Sequence, residues 1–154
     1  MINGWPRTER NRFLRSLSND ERAILLRTWS FWARDDQLRP DGGWRIWLFL
    51  GGRGAGKTRA GAEWIADGVR HGTMRRIGLV GTTFAEARSV MIEGESGLLG
   101  VSKGAAFEPS NRRVLWPTGA VADVISAEEP DYVRGHQFDA VWADGDRAPK
   151  KGAR

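Results

Sequence analysis

Apolar residues in the middle of the chain come in short runs separated by glycines and by stretches with helical spacing. The first run, residues 46–50, is continuously apolar and is followed by glycine, which is typical of a strand buried on both faces of a parallel sheet. A helix pattern, a second apolar run and a second helix pattern follow, at residues 57–70, 77–80 and 84–92. This alternation predicts an α/β domain with right-handed crossovers, in which ligands bind at the carboxyl ends of the strands.

The sequence before this core predicts helical structure. Residues 1–17 are polar and basic and predict an arm or a short irregular helix. Ser18 and Glu21 have the spacing of a capping box, in which each side chain satisfies a free amide of the first helical turn. A helix with one apolar stripe is expected to follow and to end before Pro40, the stripe consisting of Leu25, Trp29 and Trp32.

The second half of the chain shows extended patterns. Residues 94–104 are rich in glycine and predict a loop. Two extended stretches flank the turn-forming residues 117–119, which predicts a β-hairpin inserted into the α/β core. Residues 138–143 are the last strand candidate, and residues 145–154 have no apolar pattern and predict a disordered basic tail.

Composition narrows the class of protein. The formal net charge of +5 and the isoelectric point near 10.4 favour an anionic partner, but the signal is weak, because the arginines are spread along the chain and a charge excess alone more often means a solvated surface than a dedicated groove. The chain has no cysteine, which excludes disulfides and cysteine-based zinc sites. Its longest apolar run is far shorter than the roughly 20 residues of a membrane helix, so we expect a soluble, cytoplasmic protein with no membrane partner.

The strongest chemical motif lies directly after the first apolar run. The run Gly51-Gly52-Arg53-Gly54-Ala55-Gly56-Lys57-Thr58 matches the phosphate-binding loop pattern G-x-x-x-x-G-K-[ST], between a predicted strand and a predicted helix. Glycines let backbone amides converge on phosphate oxygens, and the helix presents its positive N-terminus. Lys57 is expected to reach the β- and γ-phosphates, and the hydroxyl of Thr58 to bind Mg²⁺, so the motif predicts ATP and Mg²⁺ as ligands.

Such a site also needs an acid at the end of a neighbouring strand. Asp144 ends the last apolar run and is the candidate that would hold Mg²⁺, while Asp139 is a weaker rival because it precedes the interior of the strand. Arg53 lies inside the phosphate loop, where it either contacts the γ-phosphate and assists catalysis or faces solvent. The sequence leaves these two interpretations of Arg53 open.

Three segments, residues 44–72, 76–99 and 116–144, closely resemble the ATPase domain of phage terminase large subunits, in the branch found in prophages and gene-transfer agents. The resemblance implies a P-loop NTPase of the ASCE type with a mostly parallel sheet, and an ATP-driven motor in the cytoplasm of a bacterial host. It implies that this motor packages double-stranded DNA into a capsid with a terminase small subunit and a portal as partners. It makes Lys57, Thr58 and Asp144 the catalytic and magnesium residues, and it favours Arg53 as a catalytic arginine.

The sequence departs from this family directly after Asp144. The family has a glutamate there, which positions or activates the attacking water, whereas this chain has Gly145. We therefore expect nucleotide binding with impaired hydrolysis. The expected organisation is a helical arm over residues 1–43, a partial ATPase domain over 44–144 and the tail over 145–154, truncated and without a nuclease domain.

Two other interpretations are possible. One is a non-catalytic nucleotide-binding remnant of a decayed prophage gene, which Gly145 and the tail favour. The other is a different P-loop enzyme, such as a helicase or a small-molecule kinase. That enzyme would share the phosphate loop but would not explain the resemblance over residues 91–99 and 116–144.

Overall fold

The computed structural model describes residues 5–129 and 135–145, and the chain divides into two units, Met1–Gly52 and Arg53–Arg154. The first unit is helical. It contains α1 (Arg7–Ser16), α2 (Asn19–Arg27), α3 (Trp29–Trp32) and a short 3₁₀ turn (Asp35–Gln37). The basic tail predicted for residues 145–154 lies outside the described residues from position 146 onward.

The capping box at the start of α2 is confirmed. The amide of Glu21 donates to Oγ of Ser18 over 3.2 Å, and the amide of Ser18 donates to Oε2 of Glu21 over 2.8 Å. The amide and the hydroxyl of Ser18 both donate to Oε2 of Glu21, and these two hydrogen bonds hold the pKa of the Glu21 carboxyl below its ordinary value. The predicted single helix is interrupted at Thr28, whose backbone is extended and which separates α2 from α3.

The strand predicted for residues 46–50 is wrong, because this segment has no regular secondary structure. Ile46, Leu48 and Leu50 are 85%, 73% and 78% exposed, whereas the alternate residues Trp47 and Phe49 are half-buried and stack their rings 6.3 Å apart. An apolar run shows that a segment is suited to burial, but a strand also needs a neighbouring strand with a free edge. In the part of the second unit that the structure describes, the sheet consists of five other strands, which pair with one another.

The second unit begins with the predicted helix, α4 (Lys57–Arg70), followed by β1 (Arg76–Gly81). The second predicted helix has two parts, a single α-turn, α5 (Phe84–Glu86), and a π-helix over Ala87–Ile92. The remaining elements are α6 (Leu98–Val101), β2 (Ala106–Glu108), a 3₁₀ turn (Pro109–Asn111), β3 (Arg113–Leu115), β4 (Val121–Ser126) and β5 (Ala140–Ala143). The short helix α6 therefore interrupts the loop predicted for residues 94–104.

These strands form one mixed sheet in the order β2-β3-β4-β1-β5. β1 pairs in parallel with β4 and with β5, while β2, β3 and β4 pair in antiparallel fashion. The predicted hairpin is present as β3 and β4, but β4 is an inner strand of the sheet rather than part of an insertion. The second unit is thus an α/β structure whose sheet is parallel only where β4, β1 and β5 lie side by side.

The core of the second unit packs helix α4 against one face of the sheet. Ile65 of α4 and Ile77 and Leu79 of β1 are fully buried, and Trp142 of β5 is 7% exposed. α4 approaches β5 closely because Gly61 has no side chain to meet the ring of Trp142. Among the residues that the structure describes, no helix has both the length and the apolar character needed to cross a membrane.

Candidate functional site

The three parallel strands bring their carboxyl ends to one edge of the sheet. The amide of Ala127, just after β4, donates to the carbonyl of Gly81 over 2.9 Å, and the amide of Asp144, just after β5, donates to the carbonyl of Val80 over 3.0 Å. The parallel pairing therefore continues to this edge on both sides of β1. In α/β structures this edge is where ligands bind.

Helix α4 begins at the same edge, after a turn built by glycines. Gly54 and Gly56 both have a φ of 78°, in the left-handed region that side chains disfavour, and Gly56 directly precedes the first helical residue, Lys57. Gly56, the residue at the N-cap position, has no side chain that could cap the helix. The backbone amides of the first turn and the positive end of the helix dipole are thus arranged as in anion-binding sites.

The N-terminus of α4 and the end of β5 meet through one side-chain hydrogen bond. Oγ1 of Thr58 donates to Oδ2 of Asp144 over 2.8 Å, although the two residues are 86 positions apart in the sequence. Both are part-buried in this contact. The structure therefore brings together a hydroxyl and a carboxylate that the sequence pattern assigned to one Mg²⁺ site.

An open cavity of about 520 Å³ lies beside this pair. One wall is the glycine turn and the start of α4, and another is the chain that follows β1. The lining residues are Arg53, Gly54, Ala55, Gly56, Lys57, Thr58, Arg59, Gly81, Glu86, Ala87, Ser89, Val90, Met91, Gly94, Glu95, Ser96, Asp144 and Gly145. Polar and charged groups from three sequence segments therefore converge on a space large enough for a nucleotide-sized ligand.

The charged side chains of the cavity differ in their partners. Arg59 is tied to Glu63 one helical turn away, with Nε 2.9 Å and Nη2 2.7 Å from Oε1, and this ion pair compensates a carboxylate that is 6% exposed. Arg53 is exposed, and Lys57 is half-buried. Arg59 thus stabilises α4, while Arg53 and Lys57 are the other two cations of the lining.

The structure separates the two aspartates that the sequence left as candidates. Oδ2 of Asp139 accepts hydrogen bonds from the amides of Arg76 and Arg75, over 2.9 and 2.8 Å, at the opposite end of β1 from the cavity. These two backbone donors hold the pKa of the Asp139 carboxyl below its ordinary value. Asp139 anchors the start of β1, and Asp144 is the aspartate that lines the cavity.

Gly51 and Gly52 belong to the first unit, and the lining of the cavity starts at Arg53.

The sequence offered no motif for the opposite wall, formed by residues 86–96. One signal was available for Glu86, since it follows the end of a predicted parallel strand at the edge where ligands bind.

The residues present fit a magnesium ion that also contacts phosphate. Mg²⁺ prefers oxygen ligands and is usually held by one or two protein groups together with substrate phosphates, rather than by a protein cage. The hydroxyl of Thr58 and the carboxylate of Asp144 provide such ligands. Within the described ranges no group of three or more His, Asp or Glu residues could hold a metal ion.

Fold and site together define an α/β protein with a glycine turn and a helix N-terminus at the carboxyl edge of parallel strands, next to a hydroxyl–carboxylate pair. Residues 48–151 match the N-terminal family of terminase large subunits of the T4-like virus type. The match covers more than half of the chain, so the protein belongs to this terminase family. No match was found among curated proteins or among solved structures.

Proposed function

We propose that this chain is the ATP-binding part of a terminase large subunit, the motor protein that packages double-stranded phage DNA into a capsid. In this proposal the second unit is a P-loop NTPase of the ASCE type. The observation that carries the proposal is the 2.8 Å hydrogen bond between Thr58 and Asp144 at the N-terminus of α4, on a cavity of about 520 Å³. Family membership and the phosphate-loop pattern support it independently.

The phosphates of ATP would lie against the turn formed by residues 53–58. The backbone amides at the start of α4 donate to phosphate oxygens, and Lys57 adds a positive charge at the same place. Thr58 and Asp144 would hold Mg²⁺, which neutralises phosphate charge when it is bound. Arg53, exposed at the rim, would contact the γ-phosphate as a catalytic arginine.

Hydrolysis at this site is proposed to be slow. The residue after Asp144 is Gly145, which lines the cavity without offering a carboxylate to the attacking water. The loss of a positioned general base lowers a rate by about 10²- to 10⁴-fold. The same observation favours a second candidate function, a nucleotide-binding protein with no turnover.

Titration of the purified chain with ATP in the presence of Mg²⁺ tests the proposal. Lys57→Ala should weaken ATP binding by about 10- to 150-fold, because a charge-assisted hydrogen bond contributes about 1.5–3 kcal/mol. The matched control is Lys103→Ala, which removes the same charge from an exposed residue outside the lining and should bind ATP normally. Equal affinities for the Lys57 and Lys103 variants would refute the proposed nucleotide site.

Removal of Mg²⁺ tests the role of the hydroxyl–carboxylate pair. EDTA should weaken ATP binding to the parent chain. Thr58→Ala and Asp144→Asn should each show a smaller dependence of ATP binding on Mg²⁺ than the parent chain, because the first removes an oxygen ligand of the metal and the second replaces a charged oxygen ligand by a neutral, weaker one. If both variants kept the full dependence on Mg²⁺, the ion would lie elsewhere.

The proposed partners are double-stranded DNA, a terminase small subunit and a portal. For DNA the supporting observation is the net charge of +5, since contacts between basic side chains and phosphates release counterions. DNA affinity of the chain should therefore fall steeply between about 50 and 200 mM salt. An affinity that does not change with salt would contradict DNA binding through the phosphate backbone.

A further inference from the structure

We propose that Glu86 is the proton acceptor for water in the slow ATP hydrolysis proposed for this cavity, where Gly145 offers no carboxylate. This proposal rests on the proposed function, because it requires ATP to bind at the turn of residues 53–58. The phosphate-loop pattern assigns no role to the wall of the cavity formed by residues 86–96, and this proposal gives one of its residues a chemical function. Glu86 lines the cavity together with Lys57 and Asp144.

A close contact between the end of β1 and the following helix places Glu86 at the cavity. A Cβ added to Gly81 would lie 2.7 Å from Cβ of Ala87, which is closer than real Cβ atoms approach, and 3.0 Å from its backbone nitrogen. Glycine at position 81 thus lets the helix start pack directly on the strand end. Ala87 is fully buried there, so its neighbour Glu86 is held at the carboxyl edge of the sheet.

Local hydrogen bonds fix the backbone of Glu86. The side chain of Thr83 accepts from the amide of Glu86 over 3.1 Å, and the carbonyl of Thr83 accepts from the amide of Ala87 over 3.0 Å. The chain then enters the π-helix of residues 87–92, a type of element that is frequent at functional sites. Contacts within this segment therefore fix the position of the Glu86 backbone.

Two glutamates line the cavity, Glu86, which is half-buried, and Glu95, which is exposed, and two further glutamates nearby are held in ion pairs. Glu63 is bound by Arg59, and Glu93 is bound by Arg88, with three nitrogen–oxygen distances of 3.0 Å. Glu86 is half-buried and makes no side-chain hydrogen bond or ion pair within the described part of the chain. A carboxylate that is not neutralised by a cation, on the edge of a phosphate-binding cavity, is suited to accept a proton.

The proposed step is the ordinary hydrolysis of ATP. An oxygen lone pair of water forms a bond to the γ-phosphorus, and the bond from that phosphorus to the β–γ bridging oxygen breaks with its electrons remaining on ADP. A proton of the attacking water passes to Glu86, which later releases it to solvent. The products are ADP, inorganic phosphate and one proton.

The test measures ATP affinity by titration and phosphate release from γ-labelled ATP, on the same preparations of the full chain. Glu86→Gln should lower the rate of phosphate release by about 10²- to 10⁴-fold. It should keep ATP affinity or raise it by up to about tenfold, because a negative charge near the phosphates is removed. Glu86→Asp keeps the charge but shortens the side chain by one methylene, and should show an intermediate rate with unchanged affinity.

The matched control is Glu93→Gln, which removes the same charge from the same segment outside the lining of the cavity. Loss of phosphate release in the Glu86 variants with retention in the Glu93 variant supports the proposal. A normal rate in Glu86→Gln, equal losses in the Glu86 and Glu93 variants, or weakened ATP binding in Glu86→Gln would each overturn it. Unchanged thermal unfolding midpoints show that the variants are folded.

The parent chain separates the failure of this proposal from the failure of the proposed function. If the chain binds ATP in a Lys57-dependent way but releases no phosphate, the role of Glu86 is refuted and the nucleotide site stands. If the chain does not bind ATP at all, the nucleotide site itself is refuted.

Discussion

Gly61 lies on the face of α4 that packs against β5, where any side chain would meet the ring of Trp142. A Cβ at this position would overlap Cε2 and Nε1 of the ring and lie 2.7 Å from Cζ2. The ring is 7% exposed and belongs to the core, so it has little room to move aside. Gly61→Ala is therefore a test of how tightly α4 must pack on β5, the strand that directly precedes Asp144.

Two opposing effects set the magnitude. Alanine stabilises a helix interior by about 0.8–1.0 kcal/mol relative to glycine. Overpacking of a core costs about 1–3 kcal/mol, and an overlap with three atoms of a buried ring belongs to the upper part of that range. We expect a net decrease in the free energy of unfolding of about 1–2 kcal/mol, together with weaker ATP binding because Thr58 moves relative to Asp144.

Gly68 in the same helix is the matched control. A Cβ there would meet the side chain of Met74, which is half-buried and flexible, so the thioether can shift at low cost. Gly68→Ala should change the free energy of unfolding by less than about 0.5 kcal/mol or stabilise the protein slightly. Urea unfolding followed by circular dichroism measures both variants. A Gly61 variant that is as stable as the parent chain would refute the packing argument.

Two further changes test contacts elsewhere in the second unit. Ser102→Ala removes the acceptor, 2.8 Å away, of the buried indole N–H of Trp116, so it should lower the free energy of unfolding by about 1–3 kcal/mol, as measured in urea. Asp139→Asn should destabilise the protein at neutral pH. The folded state lowers the pKa of this carboxyl from 3.8, so its stabilisation is complete above that value and is lost as pH falls through the lowered pKa. The difference between parent and variant should thus vanish in acid, and a difference that persists there would contradict this assignment.

Local signals in the sequence predicted much of the second unit. Lys57–Arg70 forms the predicted helix. Its apolar spacing and the preceding glycine turn are both local signals, so the sequence of this one segment is enough to predict it. Residues 117–119 form the predicted turn, with the amide of Gly119 donating to the carbonyl of Trp116 over 2.9 Å. Asp144 was also placed at the correct end of its strand, because an apolar run followed by an acid fixes the position of the acid along the strand.

Features that depend on tertiary contacts could not be predicted in this way. The run of residues 46–50 has the composition of a buried strand, yet its pairing depends on a partner edge that composition does not specify. The π-helix of residues 87–92 and the position of Glu86 follow from the contact between Gly81 and Ala87. The sequence shows that both residues are small, but it does not show that they touch. The role of Asp139 needed the register of β5 against β1.

The order of the sheet has a consequence for how the second unit folds. The central strand β1 pairs with strands much later in the chain, since Arg76 lies beside Val121 and Ile77 beside Ala140. Such non-local pairing slows folding, because long loops must close before any contact compensates their entropy. The Thr58–Asp144 contact joins α4, the first element of this unit, to the residue after β5, so it forms only when β5 is in place. Nucleotide binding across this contact would then stabilise the whole unit against unfolding, not merely the loop that holds the phosphates.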